Sequence, residues 1–520
     1  MTAPVLTDEL VRRAAISYGV CVRPVLSRVT DTVTGESRTV PIPCGATRAA
    51  VCPSCAERAR RLRMQQCREG WHLAAEPPVL EPSPDDAPEG DDGDQGDDDD
   101  GIDDARRVRS TRRREDVPDL PRLPISAHTV GRVFESPDGK TYRPSMFLTL
   151  TMPSYGRVTS EGVPADPASY DYRRAGLDAM HFPKLVDRFW QNLRRATGFN
   201  VQYFAAVEPQ RRLAPHLHAA VRGAIPRALL RQVVAATYHQ VWWPSCEFPV
   251  YSGNRLPVWD EKQGGYVDAG GWLLPTWDEA LDDLDSDTDA EPVHVLRFGR
   301  QVDMQGILAG TPQADRAVGY LTKYLTKSIS DPMGDDDYQP SPARRAHVDR
   351  LAAEVRWLPC SPTCANWLRY GTQPKNARPG LEPGRCTSKA HDRDHLGLGG
   401  RRVLVSRRWT GKTLTEHRAD RAAVVRAALA EAGVEMDEHD QYSTTATGPD
   451  GRPRYVWEPV RFDRDADRPS YARIIGHAID RRRRWREQYE QAKQATRPPP
   501  GDVSATAPAS PEGNPPCPPT

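Results

Sequence analysis

The stretch 201–221 constrains this chain more than any other. Val201–Val207 (VQYFAAV) and His216–Val221 (HLHAAV) are two strand-like runs, and the connection QRRLAP between them is short enough for a hairpin. Side chains alternate along a strand, so Leu217 and Ala219 are expected in the core while His216 and His218 project together from the other face. The first strand runs into Glu208, which a hairpin brings beside the pair. A carboxylate with two imidazoles suits Mg²⁺ or Mn²⁺ acting on phosphate oxygens, Mn²⁺ the better on ligand preference. The competing reading is two surface histidines that alternate by chance.

A second element carries complementary chemistry. In Tyr320-Leu-Thr-Lys323-Tyr324-Leu-Thr-Lys327 the tyrosines and lysines fall at i, i+3, i+4 and i+7, one stripe of a helix. Leu321, Leu325 and Ile329 form the neighbouring apolar stripe, which would dock the helix on a sheet. Thr311 and Pro312 supply the N-cap and first helical position, and the helix is expected to run to about Ser328. A phenol has a pKa of about 10 and is a weak nucleophile near neutrality. Lys323, Lys327 and a nearby metal would favour its phenolate and neutralise a phosphate. In-line attack on a DNA phosphate would then leave a 5′-phosphotyrosine and a free 3′-OH. The alternative is a packed amphipathic helix with solvated lysines.

Charge distribution fits a polyanion partner better than the total does. The chain has 71 basic and 71 acidic residues, but 13 acidic side chains fall within 77–105 and eight within 277–292, with no Lys or Arg in either stretch. Outside those two stretches the chain carries a net +21. The run at 77–105 reads as a solubilising, disordered linker. No segment approaches the roughly 18–20 apolar residues of a membrane span, and MTAPVLTDELVRR has no apolar signal core. A cytoplasmic protein without membrane contact is expected.

The cysteines cluster with histidines, which favours metal over disulfides. Cys52-x2-Cys55 with Cys67 and His72 makes one four-ligand set, with Cys44 a fifth candidate. Cys360, Cys364, Cys386, His391 and His395 make a second set, again one more than a tetrahedral Zn²⁺ needs. Arg58, Arg60, Arg61 and Arg63, beside the first set, either contact phosphates, Arg58 and Arg61 foremost, or form a solvated face that only scaffolds the zinc. Trp242, Trp243, Trp259, Trp272 and Trp277 could stack on unpaired bases, but packing of an irregular insertion explains them as well.

Elsewhere, Ser145–Thr151 reads as a strand with Phe147, Thr149 and Thr151 on one face, and Pro183–Arg195 as a helix. A further helix is expected from Pro226 to about Trp242, and strand again over Val293–Gln305. The implied organisation is an N-terminal Cys/His module (1–75), an acidic disordered linker (76–123), an α+β domain (124–330) with an insertion at 245–292, a second Cys/His module (357–400), a basic helical region (401–495) and a disordered tail (496–520).

FLTLT (147–151), EPQRRLAPHLHAAVRG (208–223) and AVGYLTKYLTK (317–327) resemble, in order, the three motifs of HUH-type rolling-circle replication initiators. CSPTCANWLRYG (360–371), the 395–421 segment and the zinc-like N-terminus are similar to initiators of actinomycete (Streptomyces-like) plasmids and integrative conjugative elements. The tyrosines follow the histidines here, whereas in conjugative relaxases they precede them. The resemblance implies an antiparallel sheet with helices on one face. It also implies a metal-dependent enzyme that nicks and rejoins one strand at a plasmid origin to start rolling-circle replication. His216, His218 and Glu208 resemble the ligands of Mg²⁺ or Mn²⁺. Tyr324 best matches the nucleophile, and Tyr320 is a second nucleophile or a supporting residue. The partners implied are origin DNA, double- and single-stranded, and the host helicase and polymerase. A two-tyrosine HUH transposase and a noncatalytic zinc-dependent DNA-binding regulator are the alternative readings.

Overall fold

The computed structural model describes residues 7–73, 75–78, 113–135, 137–139, 141–323, 325, 340–399, 402–431, 446–460 and 469–495. The acidic run at 81–104, Tyr324, Lys327 and the 496–520 tail lie outside them. The chain divides into two units, one of residues 44–418 and one that joins 1–43 to 419–520.

The larger unit is built on a five-stranded antiparallel sheet. Its order is Val302–Leu308, Pro144–Thr151, Pro215–Val221, Tyr203–Pro209 and Val403–Val405. The histidine-bearing strand, Pro215–Val221, is therefore central, and every residue in it is buried. Burial on both faces explains its near-continuous small and apolar composition, broken only by the two histidines.

Register fixes what each face carries. Leu217, Ala219 and Val221 share a face with Leu148, Leu150, Ala205 and Val207, as the sequence implies. The long helix Tyr172–Thr197 covers that face with Phe182, Leu185, Phe189 and Leu193. This helix starts well before Pro183, because the Asp171 carboxylate accepts the Arg174 amide and caps it there. It stops at Gly198, which takes a left-handed φ of 70°.

The opposite face holds His216, His218, Ala220, Phe147, Phe204 and Ala206. The helices Pro53–Trp71 and Pro312–Lys323 pack on its apolar part through Cys67, Trp71, Ala314, Val318 and Leu321. Helices therefore cover both faces, which corrects the expected one-sided layer. Both faces of the sheet are apolar enough to require a cover.

Other expectations shift in detail. The helix after Pro226 ends at Ala236, and Tyr238–Val241 is a strand paired with His294–Arg297. The stretch expected as one strand over 293–305 is two, which belong to different sheets. Val403–Val405 is a strand, although its region reads as helical, because it supplies the missing neighbour of Tyr203–Pro209.

Arg222, directly after the histidine strand, is a buried tie. Its guanidinium donates to the Gly70 carbonyl at 2.9 Å, to Thr129 and to the Trp409 carbonyl, and lies over the Trp409 ring. Gly70 permits this approach, since a Cβ there would sit 2.3 Å from the Trp409 ring.

In the smaller unit, Val25–Asp31 pairs with Ser37–Ile42 on one side and Tyr455–Pro459 on the other. Helices Asp8–Ser17 and Tyr471–Ala495 pack together, and Arg454 binds Asp31 at 3.0 Å. The expected 1–75 module is thus divided, with its first 43 residues folded against C-terminal chain. Among the described residues no helix is long and apolar enough to cross a membrane.

Buried imidazoles make the larger unit acid-sensitive. Burial pushes His239 down to about 3 and His347 down to about 4, and holds His181 well below its ordinary value. Unfolded imidazoles titrate near 6.5, so the unfolded chain gains protons first as pH falls. Stability is therefore lost progressively below about pH 6.5, before ordinary carboxylates titrate. The thermal midpoint should fall between pH 7 and 5, and His239→Gln should flatten that slope. A midpoint constant across the interval would contradict this account.

Candidate active site and metal centres

The hairpin connection places the site. Gln210 donates its amide to the Ala214 carbonyl at 2.8 Å, and Leu213 holds an uncommon left-handed φ of 64°. Arg212 fastens this turn by donating to the carbonyls of Pro153 and Met152, at 2.6 and 2.5 Å. Glu208 then lies directly opposite His216, and His218 is flanked by Ala206 and Thr149.

His218 is the hub. Its Nε2 lies 2.7 Å from a Glu208 carboxylate oxygen and 3.2 Å from the Tyr320 hydroxyl, and its Nδ1 lies 3.0 Å from the Thr149 hydroxyl. The Tyr320 ring meets the His218 ring edge-on at 4.8 Å and the Phe147 ring at 6.1 Å. Glu208, His216 and His218 are each less than 9% exposed, whereas Tyr320 is 43% exposed. Access to the buried groups is therefore from the tyrosine side.

His216 lies with its ring 4.3 Å from that of His218. Burial, with added repulsion from His218 and Arg212, pushes it down to about 3, so it is neutral at physiological pH. Its Nδ1 is buried and has no hydrogen-bond partner among the described residues. An orphaned imidazole nitrogen beside a second imidazole and a carboxylate is a donor set that fits a divalent cation. The three residues do not form a gathered ligand set like the cysteine clusters below. The Glu208 carboxylate and the Tyr320 hydroxyl already occupy His218 Nε2.

Two cysteine clusters could hold a metal ion. The first includes Cys44, Cys52 and Cys55; the second is Cys360, Cys364, Cys386 and His391, with ligand atoms within 4.8 Å of one another. Cys52 caps the helix Pro53–Trp71 and Cys55 lies in its first turn, where helix N–H groups favour a thiolate. In the second cluster the His391 Nδ1 lies 2.7 Å from the Val355 carbonyl, which orients the ring and leaves Nε2 for a ligand bond. Trp243, Trp277 and Trp367 pack around it, so two tryptophans of the 245–292 region and its border are packing residues.

Three expected ligands lie elsewhere. Cys67 is fully buried against Trp71 and Trp409, and burial pushes its thiol far up. His72 stacks on Trp71 and is pushed down to about 4 by burial. His395 sets its Nδ1 3.1 Å from the Leu398 carbonyl in a local turn. Arg58 and Arg61 are exposed on the Pro53–Trp71 helix, where Arg61 pairs with Glu57 at 2.8 Å.

Two residues near the site carried no role in the sequence reading. Thr149 was placed on the correct face, and its pairing with the histidine strand was the available signal. Arg402, which donates to the Val207 carbonyl and faces the Glu208 charge, lies far along the chain with no signal to find it.

No curated protein and no solved structure matches the chain. The family model for the replication initiator protein of pSAM2, RepSA, matches residues 8–481, nearly the whole length. The chain belongs to this family of plasmid replication initiators, proteins that act on origin DNA.

Proposed function

We propose that this initiator is a single-strand DNA nickase and ligase, and that Tyr320 is its attacking residue. The observation that carries the reading is the Tyr320 hydroxyl 3.2 Å from His218 Nε2, beside Glu208. The Tyr320 phenol gives up its proton to solvent, the tyrosine oxygen bonds to phosphorus, and the 3′ oxygen leaves and takes a proton from solvent. A 5′-phosphotyrosine and a primer 3′-OH result. His216, His218 and Glu208 would hold the Mg²⁺ or Mn²⁺ ion, whose chemistry when bound is to polarise the scissile phosphate and favour the phenolate. Thr149 fixes the orientation of the His218 ring, and Phe147 supports the Tyr320 ring. Tyr324, four residues further along the sequence, is assigned the second transfer that closes the circle. Host helicase and polymerase would extend from the 3′-OH.

The test is a denaturing-gel assay of covalent adduct on single-stranded origin DNA with Mn²⁺. Tyr320→Phe is expected to abolish first-strand adduct, and His218→Ala, which removes a metal-holding imidazole and the seat of the phenol, to lower its rate by at least about 10-fold. Thr149→Val should slow it less. Adduct that persists at wild-type rate in Tyr320→Phe would overturn the assignment.

The cysteine clusters are assigned structural Zn²⁺, since closed thiolate and imidazole sets of this kind are structural sites. His391→Ala should cost the purified chain about one equivalent of zinc by elemental analysis, since one site is lost. Cys67→Ala and His395→Ala should retain the full content. Zinc loss in Cys67→Ala equal to that in His391→Ala would restore the sequence-based ligand set.

A further inference from the structure

An arginine-lined cavity lies at the end of the central sheet, outside the tyrosine–histidine site. It is an open cleft of about 550 Å³ lined by Arg114, Arg174, Arg297 and Arg300, with Ser154 and Gly299 on its wall and no acidic lining residue among the described residues. We infer that this cavity holds backbone phosphates of the single DNA strand that the neighbouring site cuts, an inference that rests on the nicking reading above.

Position supports it first. Gly299 donates its amide to the Thr151 carbonyl at 2.7 Å, and Thr151 is paired with His216 in the sheet. The cavity wall is thus fastened to the strand end that carries the metal-type histidine. Gly299 fits there because it has no side chain: a Cβ would lie 2.9 Å from the Met152 carbonyl oxygen.

Charge supports it next. The Asp116 carboxylate accepts from Arg297 at 2.5 Å and from Arg114 at 3.0 Å. Two guanidinium groups therefore converge on a point that already stabilises an anionic oxygen, the geometry in which arginine binds phosphate. Asp116 is half exposed. Asp178, the other acid nearby, accepts from the Tyr155 hydroxyl at 2.8 Å and contacts His294 at 2.7 Å, and it also lies 4.0 Å from the Arg174 guanidinium. Arg300 is exposed and has no ion pair among the described residues. Four guanidinium groups against the two carboxylates of Asp116 and Asp178 still leave an excess of positive charge that a sugar–phosphate chain would neutralise without reading its sequence.

The test uses the full chain and a fluorescein-labelled oligo(dT) strand, with anisotropy read over a salt series. Arg174→Gln with Arg300→Gln should weaken binding about tenfold at low salt. It should also lower the slope of log affinity against log salt by about 1.4, at roughly 0.7 per lost phosphate contact on single strands. Arg174→Lys with Arg300→Lys should recover most of the slope, and Asp116→Asn should tighten binding a few-fold. Affinity and slope unchanged in the glutamine variant would overturn the inference, as would a wild-type chain that binds no oligo(dT). Binding of a nucleoside triphosphate that the glutamine variant loses, with oligo(dT) affinity intact, would make the cavity an effector site and equally overturn it. Adduct formation is scored separately. If Tyr320→Phe still forms adduct while the arginine variants lose strand binding, the tyrosine assignment falls and the cavity inference stands.

Discussion

The pairing of Glu208 with His216 across the hairpin governs what this chain can do. A one-residue slip in that register would turn both histidines into the apolar layer under the long helix and carry Leu217 into the site. Several independent contacts prevent the slip. Arg212 fastens the turn to Met152 and Pro153, the neighbouring strand Pro144–Thr151 adds the Thr149–His218 contact, and Val403–Val405 closes the far edge of Tyr203–Pro209. Arg222, one residue past the strand, anchors its other end to Gly70 and Trp409.

Burial on both sides of the sheet shapes the chemistry. Polar groups inside a packed layer must find partners or remain costly. Here the cost is answered by mutual contacts among Glu208, His218, Thr149 and Tyr320, and one imidazole nitrogen of His216 finds no partner among the described residues. The same burial keeps His216 neutral, the state in which imidazole binds a metal. The partly exposed ring of Tyr320 is where this buried set meets solvent.

Much of this was legible because it depends on short-range periodicity. Alternation assigned the faces of Leu217 and His218, the turn length placed Glu208 beside His216, and Thr311-Pro312 marked where the tyrosine helix begins. Proximity of Cys52 to Cys55, and of Cys360 to Cys364, was also a local signal. What failed depended on distant chain. Val403–Val405 has too few residues to declare itself a strand without the neighbour it completes. Cys67 has good ligand spacing from Cys55, but the apolar pair Trp71 and Trp409 claims that side of its helix. Residues 1–43 fold with chain beyond 419, a pairing that no local pattern announces.

The central claim is that the hydroxyl seated on His218 is the one that attacks DNA. Trypsin cleaves after Arg316, Lys323 and Lys327, so Tyr320 and Tyr324 fall in separate peptides, 317–323 and 324–327. Peptide mass spectrometry of the wild-type adduct, trapped on single-stranded origin DNA and trimmed to a short nucleotide remnant, reads the attachment directly. The account predicts the remnant on peptide 317–323. A remnant confined to 324–327, or to any peptide outside this helix, would contradict it.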